Sequence, residues 1–144
     1  MKKFELTNES IEVNGKKLYR IKALANFANV KIGNLGGYVE TEENLSHYGN
    51  AWIYNDACVY DNAKICGNAK IFDDAKICDN AKIYGYAKIY GNAKIYGDAI
   101  IYNDAEVYDN AEIYSNTEIH GNAKIYGNAK IYGNIEICDN TCIF

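Results

Sequence analysis

A six-residue word governs most of this chain. From Gly49 to Phe144 the sequence divides into sixteen hexads without insertion or deletion, opening GNAWIY, NDACVY, DNAKIC, GNAKIF and closing DNTCIF. The fifth position is Ile or Val in every hexad, from Ile53 and Val59 to Ile143. The third is Ala, except at Thr117, Ile135 and Thr141. The first two positions are Gly, Asp or Asn, with one Ser and with Tyr86 as the only bulky intruder. The sixth is Tyr, Cys, Phe or a single His. A helix repeats every 3.6 residues and cannot hold this phase. Ala and Ile, two apart, face the same side of an extended segment, while the residue between them and the terminal Tyr face the other. The Gly-Asn or Asp-Asn pair tolerates positive φ and bends the chain. A strand of about four residues and a bend every six make a solenoid. Three hexads close one triangular coil, so each residue sits over the residue eighteen later, about 4.8 Å away.

These hexads resemble the hexapeptide repeat of the left-handed parallel β-helix, and that resemblance supplies the hand. The ordinary crossover rule would give the other one. The expected fold is all-β: a single-stranded left-handed parallel β-helix over residues 49–144, with an N-terminal hairpin and loop cap over residues 1–48. Its interior is a prism of Ile over Ile and Ala over Ala, each buried Ile contributing roughly 1.5–3 kcal/mol.

The first 48 residues break the period. FELTNESIEVNGKKLYRIKAL reads as two strands about the turn Asn14-Gly15, followed by a glycine-rich and then an acidic stretch. A first coil exposes unpaired backbone and needs such a cover. The pieces LYRIKAL, GNLGGYVE and EENLSHYGNAWIY resemble the leader of a bacterial and prophage group of hexapeptide proteins, the YdcK-like group, to which acyltransferase activity is attached through its fold. The resemblance implies a cytoplasmic protein of a bacterial cell, of phage or mobile-element origin like the prophage members of the group, and it implies little chemistry.

Composition bounds the function. The net charge of −4 and a pI near 5.2 argue against nucleic acid as the partner. No apolar run is long enough to span a membrane. The opening MKKFELTNES lacks the apolar stretch of a secretory signal. Five cysteines inside the repeats read as free thiols.

Function then falls to the outward side chains. Sorting by eighteen gives three aromatic columns. One carries Tyr54, Phe72, Tyr90, Tyr108, Tyr126 and Phe144. The next carries Tyr60, Cys78, Tyr96, Tyr114 and Tyr132. The last carries Cys66, Tyr84, Tyr102, His120 and Cys138. Stacking in such columns stabilises a solenoid, and tyrosine at this density also marks an interaction surface. Lys64, Lys70, Lys76, Lys82, Lys88 and Lys94 form a belt of two coils, with turn aspartates Asp73, Asp74 and Asp79 expected to offset their repulsion; Glu106, Glu112 and Glu118 follow as an acidic coil. The protein-binding candidates are Tyr54, Phe72, Tyr90, Tyr108, Tyr126, Tyr84, Tyr102, Lys70 and Lys88. The last coil, with Ile135, Ile137, Cys142, Ile143 and Phe144, is the candidate for self-association, end to end or side by side.

Chemistry is sparse. Acyltransferases of this fold place a histidine beside a loop that interrupts the coils, and no loop interrupts these hexads. The histidines are His47 and His120, and the sequence names no partner that would make either a general base. A γ-class carbonic anhydrase pattern needs three histidines. The cysteines share no arrangement suited to a tetrahedral metal, so neither metal nor cofactor is expected. The expected function is a rigid, non-enzymatic binding or scaffold protein that holds a protein partner, a host defence component being the candidate. The alternative is an acyltransferase using His120 or His47 at a subunit interface.

Overall fold

The computed structural model describes the whole chain, Met1–Phe144. It is a parallel β-solenoid of stacked eighteen-residue coils with no α-helix. Every hexad contributes one short strand, from β4 (Trp52–Ile53) to β19 (Cys142–Ile143). Each of these strands before the last coil pairs in parallel with the one eighteen residues on: Ile53 with Ile71, Ile71 with Ile89, Ile89 with Val107. Three walls result. Wall 1 holds the Ile53 column, wall 2 the Val59 column and wall 3 the Ile65 column.

The regular strands are two residues long, shorter than the four expected from the repeat. The backbone explains the difference. In each hexad up to residue 126 the N–H groups of positions four and six donate to carbonyls of the next coil, as Lys64 to Ala81 and Cys66 to Ile83, both at 3.0 Å. The chain then turns at once. Position one has positive φ in all sixteen hexads, from Gly49 at 75° to Asp139 at 59°. Gly, Asn and Asp tolerate that conformation best, which is why the first position is confined to them and Ser115.

The prism interior is apolar. Ile71, Ile77, Ile83, Ile89, Ile95 and Ile101 are fully buried, as are the alanines two residues before them. Thr117 occupies an alanine position at no polar cost, because its hydroxyl donates to the Tyr114 carbonyl at 2.8 Å.

The leader closes the first coil. β1 (Phe4–Val13) and β2 (Lys16–Ala23) form the expected antiparallel hairpin about Asn14-Gly15. β3 (Leu35–Val39) pairs antiparallel with β2 and parallel with Cys58–Val59 of wall 2. Leu45 bridges Ile65 on wall 3. Two walls of the stack therefore continue into residues 1–48. Phe4, Ile21, Ala23, Val30 and Trp52 fill the mouth of the prism.

The first coil has no coil before it, so its carbonyls need other donors. Tyr38 N–H donates to Ala57 O at 2.9 Å and Glu40 N–H to Val59 O at 3.2 Å. The Asn44 amide donates to Ala63 O at 2.9 Å and Asp61 O at 3.2 Å, and Ser46 N–H to Ile65 O at 2.9 Å. On wall 1 the Lys3 ammonium donates to Ala51 O at 2.7 Å and Gly49 O at 3.3 Å, over the Phe27 ring. Burial lowers the Lys3 pKa to about 8. Arg20, the only arginine, clips the hairpin down. It donates to Glu9 at 2.9 Å, Gly36 O at 2.6 Å, the Tyr38 hydroxyl at 2.6 Å and Asp56 at 3.0 Å, and lies over the Tyr38 ring.

Candidate functional site

The outward faces carry the columns that the period places there. Tyr90, Tyr108, Tyr126 and Phe144 stack on wall 1, with centroids 4.9, 5.2 and 5.2 Å apart. Tyr54 and Phe72 form a separate pair at 4.8 Å, because Phe72 meets Tyr90 edge-on at 81°. On wall 2 Tyr96, Tyr114 and Tyr132 stack. On wall 3 Tyr84, Tyr102 and His120 stack at 4.9 Å, the first two rings parallel within 1°.

A diagonal bond joins these columns to the acidic coil. The Tyr90 hydroxyl donates to Glu106 at 3.0 Å, Tyr96 to Glu112 at 3.4 Å and Tyr102 to Glu118 at 2.5 Å. His120 meets Glu136 at the same sixteen-residue offset, 2.7 Å apart. The glutamates thus anchor the aromatic rings of the preceding coil. Sequence reading missed this diagonal, although the offset of sixteen follows from positions six and four of successive coils.

The lysine belt is present in register: Lys64 pairs with Lys82, Lys70 with Lys88 and Lys76 with Lys94. Two of the three turn aspartates expected to offset it also bond the backbone. Asp73 and Asp79 accept from the amides of Gly91 and Gly97, both at 2.9 Å, and thereby satisfy the position-one N–H that the ladder leaves free.

The two histidines differ in setting. His47 lies in the cap, stacked on Phe4 at 4.3 Å, with Nδ1 accepting from Lys3 N–H at 3.0 Å and Nε2 3.2 Å from Glu42. His120 is on the outer face of wall 3, with Glu136 as a carboxylate partner. Among the last-coil residues, Ile135, Cys142 and Phe144 are exposed, Ile143 is half-buried and Ile137 lies inside the prism below Ile119. All five cysteines are free thiols.

An open groove of about 880 Å³ lies beside the hairpin, lined by Lys16, Glu40, Asp61, Lys64, Asp79 and Lys82 among other polar groups. No helix is long and apolar enough to cross a membrane.

The ladders set an alkaline limit. The bond to Glu118, then burial, pushes the Tyr102 pKa up to about 12. Burial, then the bond to Glu106, raises that of Tyr90, and burial foremost raises those of Tyr54, Tyr60, Tyr96 and Tyr108. A raised phenol contributes stability that is intact below the unfolded value, near 10, and is lost as pH rises through the folded one. Lys3 has the opposite sign, gaining as pH rises from about 8 toward the ordinary lysine value. Six tyrosines outweigh one lysine. The urea midpoint should fall steeply between about pH 10 and 12, with phenolate absorbance delayed relative to free tyrosine. A midpoint unchanged across that range would contradict the ladder energetics.

Fold and faces together define a hexapeptide-repeat parallel β-solenoid with aromatic and charged columns on its walls. No protein-family model matches the chain, and no curated protein is significantly similar to it in sequence.

Proposed function

We propose that this chain is a rigid, non-enzymatic binding or scaffold protein that holds a protein partner on the aromatic and lysine columns of wall 1. The observation that carries the reading is the Tyr90, Tyr108 and Tyr126 stack, with planes within 2° and 6° of parallel, beside the in-register pair Lys70 and Lys88. Rings held by their neighbours lose little conformational entropy on binding, so the surface is preorganised. Tyrosine is also favoured at protein interfaces for its apolar body and polar tip. Tyr84 and Tyr102 on wall 3 offer a second such stripe. Self-association of the rod would use the coil that carries exposed Ile135 and Phe144. The likeness of the leader to the YdcK-like group favours a bacterial cytoplasmic setting, a mobile-element origin and a host defence component as the partner.

A second reading has one observation in its favour: Glu136, 2.7 Å from His120, can orient that imidazole as a general base for acyl transfer. One experiment separates the two. Tagged wild type, a Tyr90→Ser/Tyr108→Ser/Tyr126→Ser variant and a His47→Ala/His120→Ala variant are incubated with bacterial lysate and with acyl-coenzyme A. Binding by wall 1 requires that the serine variant lose the captured protein while retaining a cooperative melt, and that the histidine variant keep it. Capture unchanged by the serine substitutions refutes wall 1 as the surface. Acyl transfer that disappears with the histidines would establish the second reading instead.

A further inference from the structure

Wall 3 breaks the charge pattern of the other two walls. On wall 1 the position-four column runs Lys70, Lys88, Glu106, Lys124, so Glu106 is paired in register with a lysine on each side. On wall 2 Glu112 likewise lies between Lys94 and Lys130, the latter 3.9 Å away. On wall 3 the column runs Lys82, Ile100, Glu118, Glu136. Two glutamates are therefore direct neighbours across parallel strands, and neither forms a salt bridge with a lysine or arginine. Like charges directly opposite destabilise a sheet; lysines oppose one another once on each wall, and Glu118 with Glu136 is the one acidic pair of this kind. The same coil replaces the usual tyrosine with His120, whose ring stacks on Tyr102 and whose Nε2 lies 2.7 Å from Glu136.

Both departures from the repeat converge on one point. A ligand atom from each of Glu118, His120 and Glu136 lies within 4.8 Å of the other two. We propose that Glu118, His120 and Glu136 form a binding site for a first-row divalent transition metal such as Zn²⁺ on wall 3. The ion supplies the positive charge that lysines supply on walls 1 and 2. One imidazole and two carboxylates suit Zn²⁺ or Co²⁺ better than the all-oxygen sets taken by Mg²⁺ or Ca²⁺. Three protein donors leave a coordination position for water or an outside ligand, as in open rather than closed zinc sites. The ladder fixes the donors from behind: Tyr102 donates to Glu118 at 2.5 Å and stacks against His120.

A second group, Asp61, Cys78 and Asp79, also brings three donors together. That group already holds a lysine cation, unlike the glutamates of wall 3: Asp61 lies 3.1 Å from the Lys16 ammonium and accepts from the Asp79 amide at 3.2 Å, while Asp79 accepts from the Gly97 amide at 2.9 Å. It also carries sulfur, which gives the test a spectroscopic discriminator.

The test uses the chain's own repeats as templates. His120→Tyr restores the residue usual at position six, and Glu136→Lys restores the residue found there on walls 1 and 2 as Lys124 and Lys130. Both variants should fold, as checked by circular dichroism. Glu118→Gln, nearly isosteric, serves as a third variant that keeps the column packing. Calorimetric titration of the wild type with Zn²⁺ should show one ion per chain, and Co²⁺ should give visible d–d bands without a sulfur-to-cobalt band. Each substitution should weaken binding by roughly 100-fold or more, since a lost ligand exceeds the 10–100-fold of a lost supporting group. Failure of the wild type to bind, binding unchanged in His120→Tyr and Glu136→Lys, or a sulfur-to-cobalt band would each overturn the proposal.

Discussion

Ile89→Asp is expected to abolish folding of the chain at ordinary temperature. Ile89 is fully buried, with Ile71 before it and Val107 after it in the wall 1 column. The neighbouring amides are committed, Lys88 N–H to Ala105 O and Tyr90 N–H to Val107 O, both at 3.0 Å. A carboxylate there would find no donor, and an unpaired buried charge costs about 3–5 kcal/mol in addition to the lost apolar burial. That total approaches the whole stability of a small domain. Because each coil is held only by its neighbours, a break at this middle coil removes support from the coils on both sides. Far-ultraviolet circular dichroism and gel filtration should show loss of the β signal and an expanded chain. Ile89→Val should cost only about 0.5–1.5 kcal/mol and serves as the control. An Ile89→Asp protein with a near-native melt would mean that this column does not form the core.

Gly37→Ala should release the leader from the first coil. A Cβ at Gly37 would lie 2.4 Å from the Ala57 carbonyl oxygen and 2.5 Å from Ile53 Cγ2. The nearer obstacle is backbone, which cannot rotate away as a side-chain tip could. β3 must therefore retreat, which strains the Tyr38–Ala57 and Glu40–Val59 hydrogen bonds. Gly36, in the same strand, leaves no more room, with the Ile53 carbonyl at 2.6 Å. Overpacking of this kind costs about 1–3 kcal/mol, and more where backbone is the obstacle. Hydrogen exchange should reveal the loss, with protection falling in Tyr38 and Glu40 while the amides of the middle coils stay protected. Uniform protection in the variant would show that β3 accommodates the methyl group without moving.

The two substitutions probe parts of the molecule that differ in legibility. The Ile and Ala columns, the three walls and the aromatic ladders all follow from a period of six once three hexads are taken to close a coil. Position one could be read equally well, since Gly, Asn and Asp are the residues that enter positive φ cheaply. The role of Asp73 and Asp79 could not. Sequence reading set them against the lysines by proximity, whereas their carboxylates bond the Gly91 and Gly97 amides of the next coil. Strand length was overestimated for a related reason: alternation marks which side chains face inward, but hydrogen-bonded pairing stops where the corner begins.

Sequence alone determined the solenoid, its eighteen-residue register and the identity of every column, because a repeat carries its long-range contacts as simple arithmetic. Tertiary structure alone decided how the leader seals the mouth. Lys3 reaches Ala51 across 48 residues and Arg20 reaches Asp56 across 36, and no period links them. It also decided that Glu118, His120 and Glu136 converge, because that depends on where side-chain tips point as well as on which residues share a column. Regular backbone hydrogen bonding enforces the first kind of information at every coil, whereas the second arises from single side chains answering local needs for a donor, a charge or a stacking partner.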